Sequence, residues 1–209
     1  MNCISPNKRS RIEIIRDHYV PKFGNDRLNH EILDWESMEA QHSRFAVLSE
    51  YVPLSGKSLL DVGCGLADLY AFLSEHGIRT KYTGIDILPQ MASAARERFP
   101  EIEIIHGDAF SEPELFSSRV FDVVFSSGIF NLNLGNNIEF LENALGVFCD
   151  LSSKYIVFNL LSERSNDKEE KYHYYSIRDV ENVIKKFSFS NVKIVEDYLL
   201  NDLSAICIK

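Results

Sequence analysis

The stretch Ser58–Tyr70, SLLDVGCGLADLY, runs from an apolar segment ending in an acid, through a Gly-x-Gly turn, into a helical pattern. Gly63 and Gly65 lack Cβ atoms, so a charged ligand can approach the bare main chain closely there. Asp61 sets a carboxylate beside the same turn. A second acid, Asp86 in YTGIDIL, closes another apolar run 21 residues after Gly65. A carboxylate in that place can accept from both hydroxyls of a ribose; it can also cap a helix starting near Pro89. Asp108, in His106-Gly107-Asp108-Ala109, ends a third such run and can accept from the exocyclic amine of adenine. Ile87 would add apolar contact to the ring, although Gly-Asp is equally a common turn.

For these acids to meet, their runs must be neighbouring strands. Strands are expected at Ser58–Val62, Lys81–Ile85, Glu103–His106, Phe121–Ser126 and Tyr155–Leu160, with helices at Leu66–His76, Pro89–Phe99, Asn136–Asp150 and Ser176–Phe187. Short β-branched runs alternating with helical patterns point to βαβ units and a parallel sheet. Asn191–Leu199 and Ser204–Ile208 break the rule, because the link between them is too short for a crossover; they predict an antiparallel hairpin. Upstream, Ser5-Pro6 reads as a helix start leading into Arg11–Tyr19. Met38, Gln41, Phe45, Leu48 and Val52 recur at helical spacing from Trp35 to Val52. This divides the chain into a helical cap, 1–52, and a core, 53–209.

Composition excludes several classes. The 209 residues suffice for one self-supporting domain. Four cysteines (Cys3, Cys64, Cys149, Cys207) lack C-x-x-C spacing, which argues against a zinc site or a disulfide framework and fits a reducing cytoplasm. No metal constellation emerges from the histidines and carboxylates. No apolar run approaches about 18 residues, and Met1–Ser10 is not followed by the apolar stretch of a signal peptide. A net charge of −9 makes nucleic acid and anionic membranes poor partners. Residues 1–30 run against that balance, with six cations to three acids. That surplus is either a solvated helix face or an arm for a phosphate-bearing acceptor.

The spacing Gly63-x-Gly65-x-Ala67 is one residue shorter than the dinucleotide fingerprint. With Asp86 and Asp108 it resembles the motifs of class I S-adenosylmethionine-dependent methyltransferases, over roughly residues 35–208. The resemblance implies an α/β, three-layer Rossmann-like sheet of seven strands, mostly parallel, with a C-terminal antiparallel hairpin and an N-terminal helical cap. It implies S-adenosyl-L-methionine as cofactor and S-adenosyl-L-homocysteine as product. Ala67 stands where the family commonly has a third glycine. W-x-S-x-x-x-Q-x-x-R-F, from Trp35 to Phe45, resembles a group of bacterial small-molecule methyltransferases. On this basis Trp35, Gln41, Arg44, Asp61, Gly63, Gly65, Asp86, Ile87, Asp108, Ala109 and Ser126 are expected at the cofactor. Arg44 would pair its carboxylate, since a guanidinium fork matches that group. Ser126 and Ser127 would lie beside its methionine portion.

The fourth strand ends in Ser-Ser-Gly-Ile rather than the Asn/Asp-Pro-Pro-aromatic run of amino-group methyltransferases, which disfavours a planar nitrogen acceptor. A small-molecule acceptor methylated at oxygen is the expectation. The polar-then-aromatic segment Ser162–Tyr175 is the expected lid, with His173 and Tyr174 as catalytic candidates and His173 as general base. His18, Tyr19 and His30 are weaker candidates in the cap. Two rival functions remain: a non-catalytic S-adenosylmethionine-binding partner, and a nicotinamide-dependent oxidoreductase, which the short glycine motif and the hairpin disfavour. Monomer and homodimer are both open, since a hairpin edge could pair.

Overall fold

Alternating apolar runs and helical patterns resolve, in the computed structural model, into strands covered on both faces by helices. The structure describes residues 9–23 and 27–209. The strands are β1 (Ser58–Val62), β2 (Lys81–Asp86), β3 (Glu103–His106), β4 (Phe121–Ser126), β5 (Ser152–Leu161), β6 (Asn191–Val195) and β7 (Asp202–Ile208). They form one sheet in the order β3-β2-β1-β4-β5-β7-β6. The first five pair in parallel, and β7 runs antiparallel to both β5 and β6. The C-terminal pair departs from a dinucleotide-binding sheet and matches the hairpin expected from the short link.

The helices are α1 (Arg11–Tyr19), α2 (Asn29–Ile32), α3 (Met38–Tyr51), α4 (Asp68–Glu75), α5 (Pro89–Arg98), α6 (Asn137–Leu151) and α7 (Ile177–Ile184). Successive strand residues point to opposite faces. Leu60, Val124, Ile156 and Phe158 therefore join Phe140, Leu141, Leu145, Val180 and Val183 of α6 and α7. Leu59, Val123 and Val157 join Phe45, Leu48, Leu69, Phe72 and Ala95 of α3, α4 and α5. Being buried on both sides is what gives central strands their unbroken apolar runs. Among the described residues, no helix is long and apolar enough to cross a membrane.

Two boundaries differ from the sequence reading in ways that matter. Helix α1 starts at Ser10, whose hydroxyl accepts from the Glu13 amide while the Glu13 carboxylate accepts from the Ser10 amide, a reciprocal capping box. Ser5-Pro6 lies outside the described residues. Helix α3 begins after Ser37, whose hydroxyl accepts from the Ala40 amide at 3.1 Å. Trp35 thus precedes the helix and does not share a helical face with Gln41 and Arg44.

Phe158, fully buried and 5.9 Å from the Phe130 ring, ties β5 to the segment following β4. Phe158→Ala is expected to cost about 3–5 kcal/mol, read as a lower midpoint in urea unfolding followed by circular dichroism.

Candidate functional site

Parallel strands bring their C-terminal ends to one edge, where ligands of such sheets bind. There the ends of β1, β2, β3 and β4 open into a single cleft with about 980 Å³ of empty space, part of it open to solvent. Gly63, Gly65, Asp61, Asp86, Ile87, Asp108, Ala109, Trp35 and Gln41 all line it. The glycines are required on two counts. Gly63 has φ +76° and Gly65 φ +54°, a region costly for residues bearing Cβ. A Cβ on Gly63 would also come within 2.2 Å of Ile129 Cγ2. Ala67 adopts φ +59° with its methyl group fully buried, so the site keeps a left-handed residue where glycine would be unstrained.

Asp86 knits two turns together. One carboxylate oxygen accepts from the Gly65 amide at 2.9 Å and the other from the Leu88 amide at 2.9 Å. Each oxygen has a second acceptor position, so a sugar's hydroxyls can still be taken. Both roles considered for Asp86, support of the α5 start and ligand acceptor, are open to one side chain. Asp61 accepts from the Tyr82 hydroxyl at 2.6 Å. Burial lifts the Asp61 carboxyl to about 7 against the pull of Tyr82, with Asp86 and Asp68 raising it further. Burial likewise lifts Asp86 to about 6, against its two amide donors.

Two other acids of the cleft are compensated by cations. Asp68 pairs with Arg98 and accepts from Asn29 and Gln41. Asp108 pairs with Arg11 of α1 and accepts from the Phe110 amide and the Ser111 hydroxyl. Burial would raise the Asp108 carboxyl, but Arg11 and these donors hold it below the ordinary range. The Arg11 guanidinium also lies 5.1 Å and 5.0 Å from the Phe110 and Phe140 rings.

Several expected site residues fall elsewhere. Arg44 is engaged by Asp202 and by the Ala40 carbonyl and does not line the cleft, because a buried carboxylate on β7 captures its fork. Ser126 is turned under the sheet edge and donates to the Val62 carbonyl at 2.8 Å. Its neighbour Ser127 lines the cleft instead, with a buried hydroxyl lacking any protein partner. His173 packs edge-on against Tyr175 at 4.4 Å, outside the cleft lining, and burial lowers its basicity. The Tyr174 hydroxyl is occupied in its own loop, with the Glu169 amide and the Asp167 carbonyl.

No residue of 162–175 lines the cleft; the roof is α1 with Leu33 and Trp35. Tyr172 reaches that roof from outside. Its hydroxyl donates to Asp34, which has φ +62° and is also paired with Lys22 at 2.6 Å and His18 at 2.9 Å. His18 therefore faces Asp34 and not the cleft. The roof residues Arg11, Ile15 and Leu33, together with Asp68, were missed from sequence. The cationic surplus of residues 1–30 was the available signal for Arg11.

Residues 59–149 match the family model of the methyltransferase domain. A demethylmenaquinone methyltransferase of Chlorobaculum tepidum is 28% identical, over 97% of this chain and 80% of its own length. A sterol 4-C-methyltransferase of Caenorhabditis elegans is 27% identical over 78% of this chain, and the chain spans about half (47%) of that relative's length. The crystal structure of magnesium protoporphyrin IX methyltransferase from Synechocystis with bound S-adenosylhomocysteine superposes with TM-score 0.66 at 13% identity. That superposition covers 96% of this chain and 100% of the other. Together the methyltransferase-domain match over residues 59–149, the full-length relative and the shared fold support a class I Rossmann-like methyltransferase that uses S-adenosylmethionine.

Asp61 and Asp86 have folded-state values of about 7 and about 6 against an ordinary 3.8. Groups raised in this way bind more protons folded than unfolded, so the stability they contribute is lost as pH rises. The ligand-free protein is expected to lose stability from about pH 4 to about pH 7, and Asp61→Asn to flatten that slope. Urea unfolding across the range checks it; an unaltered slope in the variant removes Asp61 as a cause.

Proposed function

We propose that the protein transfers the methyl group of S-adenosylmethionine to a small-molecule acceptor, at oxygen. The observation that carries this is the pair of carboxylates at neighbouring strand ends, Asp86 and Asp108, sharing one cleft with the glycine turn. In this reading Asp86 holds the ribose and Asp108 the adenine amine, while Ile87 and Ala109 flank the base. Gly63 and Gly65 admit the amino-acid portion, with Asp61, Gln41 and Ser127 beside it. The reaction is an in-line displacement: the acceptor oxygen bonds to the methyl carbon as the sulfur–carbon bond breaks. Alignment of this kind can supply about 7–11 kcal/mol of the barrier.

The acceptor side is lined by Ile15, Tyr19, Leu33 and Leu132, which favours an apolar molecule. The Chlorobaculum and nematode relatives are named for demethylmenaquinone and a sterol, both largely apolar. Among the described residues the lining includes no histidine or lysine, so an acceptor whose own hydroxyl is acidic, such as a phenol or enol, suits the site. The Ser-Ser-Gly-Ile turn supports oxygen over a planar amide nitrogen. Residues 1–52 act as the cap. Unpaired Cys64, Cys149 and Cys207 support a cytoplasmic setting, and the acidic charge supports a small acceptor over nucleic acid.

Isothermal calorimetry with S-adenosylmethionine and S-adenosylhomocysteine tests the reading directly. Asp86→Ala should weaken binding by roughly 1.5–3 kcal/mol. Gly63→Ala should weaken it more, because the added methyl is placed in Ile129 and in a disfavoured backbone region. A wild-type protein that binds neither compound, or binds NADH instead, overturns the proposal.

A further inference from the structure

Behind the β4 end of the cleft, five residues close a ring. Arg44 of α3, 3% exposed, grips the fully buried carboxylate of Asp202 at the start of β7 with both Nε and Nη2. Asp202 Oδ1 also accepts from Asn159 Nδ2 of β5 at 3.3 Å. Asn159 Oδ1 accepts in turn from the Gly128 amide at 3.1 Å. Gly128 sits at φ +90° directly against Trp35, whose indole carbons would lie 3.0 Å from any Cβ placed there. The Trp35 ring stacks with the Arg44 guanidinium 4.3 Å from its centroid, which closes the circuit. Trp35, Ser127, Gly128 and Ile129 line the cleft, whereas Arg44, Asn159 and Asp202 do not.

The chemistry of the ring is directional. A guanidinium fork on a carboxylate fixes the plane of both groups, and that plane is what Trp35 stacks on. The charged carboxylate fixes which end of the Asn159 amide faces it, so the carbonyl end must face Gly128. A buried ion pair is no general stabiliser compared with apolar residues of similar size. Its distinctive effect here is on orientation, at a turn where Ser127 keeps an unpartnered hydroxyl. The base and sugar acids, Asp108 and Asp86, stand at β3 and β2; β4 is on the other side of β1 from them.

We propose that Arg44 and Asp202 are positioning residues. Acting through Asn159 and Trp35, they hold the Ser127–Ile129 turn and the indole around the cofactor's methyl and amino-acid end, without touching the cofactor. This rests on the cleft being the S-adenosylmethionine site proposed above.

Arg44→Lys keeps the charge but removes the fork and the flat stacking face; Arg44→Met combined with Asp202→Leu removes both charges together, so no lone ion is left buried. The probes are S-adenosylhomocysteine and methylthioadenosine, which retains base, sugar and sulfur but lacks the amino-acid tail. Affinity for S-adenosylhomocysteine should fall roughly tenfold or more while methylthioadenosine stays within about twofold. Trp35 is the chain's one tryptophan, so its acrylamide quenching should rise in the same variants. A merely structural defect weakens both probes together. Equal losses, no loss on either probe, or unchanged Trp35 quenching in a folded variant overturns the assignment. Wild-type protein that binds neither probe overturns the methyltransferase reading itself, a different result from wild-type binding with indifferent variants.

Discussion

The site depends on Asp86 accepting one amide from each of two turns. Its bonds to Gly65 and Leu88 tie the loop after β1 to the start of α5. Two left-handed glycines bend the first loop back over the strand ends, and the carboxylate satisfies an amide that this bend would otherwise leave buried and unpaired. A ligand thus meets a surface already organised before it arrives. Preorganisation of this sort reduces the ordering that binding must impose.

Residues ahead of β1 complete the cleft by electrostatics as well as by packing. Arg11 crosses from α1 to Asp108, and Asn29 and Gln41 reach Asp68. Asp34, between the cleft-lining residues Leu33 and Trp35, is held in a left-handed conformation by Lys22 and His18 on one side and Tyr172 on the other. The segment 162–175 therefore supports the roof from outside and does not line the cleft.

Legibility in the sequence followed the range of the interaction. The five parallel strands, their helices and the closing hairpin were readable because periodicity and link length are local properties. The glycine turn, Asp61, Asp86 and Asp108 were readable as cleft residues because each lies at or close to the C-terminal end of its strand. Arg44 was misplaced for the opposite reason. The resemblance put it at the cofactor's carboxylate, but its partner Asp202 lies 158 residues away on β7. His173 and Tyr174 had suitable chemistry, yet nothing local says that an aromatic run will pack on Tyr175 and its own loop. Ser126, the last residue of β4, turns to the Val62 carbonyl, while Ser127, just past the strand end, turns to the cleft.

The distribution of compensation among the acids bears on turnover. Asp68 and Asp108 each have an arginine, whereas Asp61 and Asp86 are held only by neutral donors and are pushed toward protonation by burial. An arriving cation relieves both effects at once, since it replaces the missing counter-charge and favours the ionised carboxylates. S-adenosylmethionine carries a sulfonium in addition to its amino-acid charges, and the product has lost it. In the reaction proposed above, methyl transfer would remove the positive charge that the two uncompensated acids favour, so the pair would have less hold on the neutral thioether than on the charged cofactor.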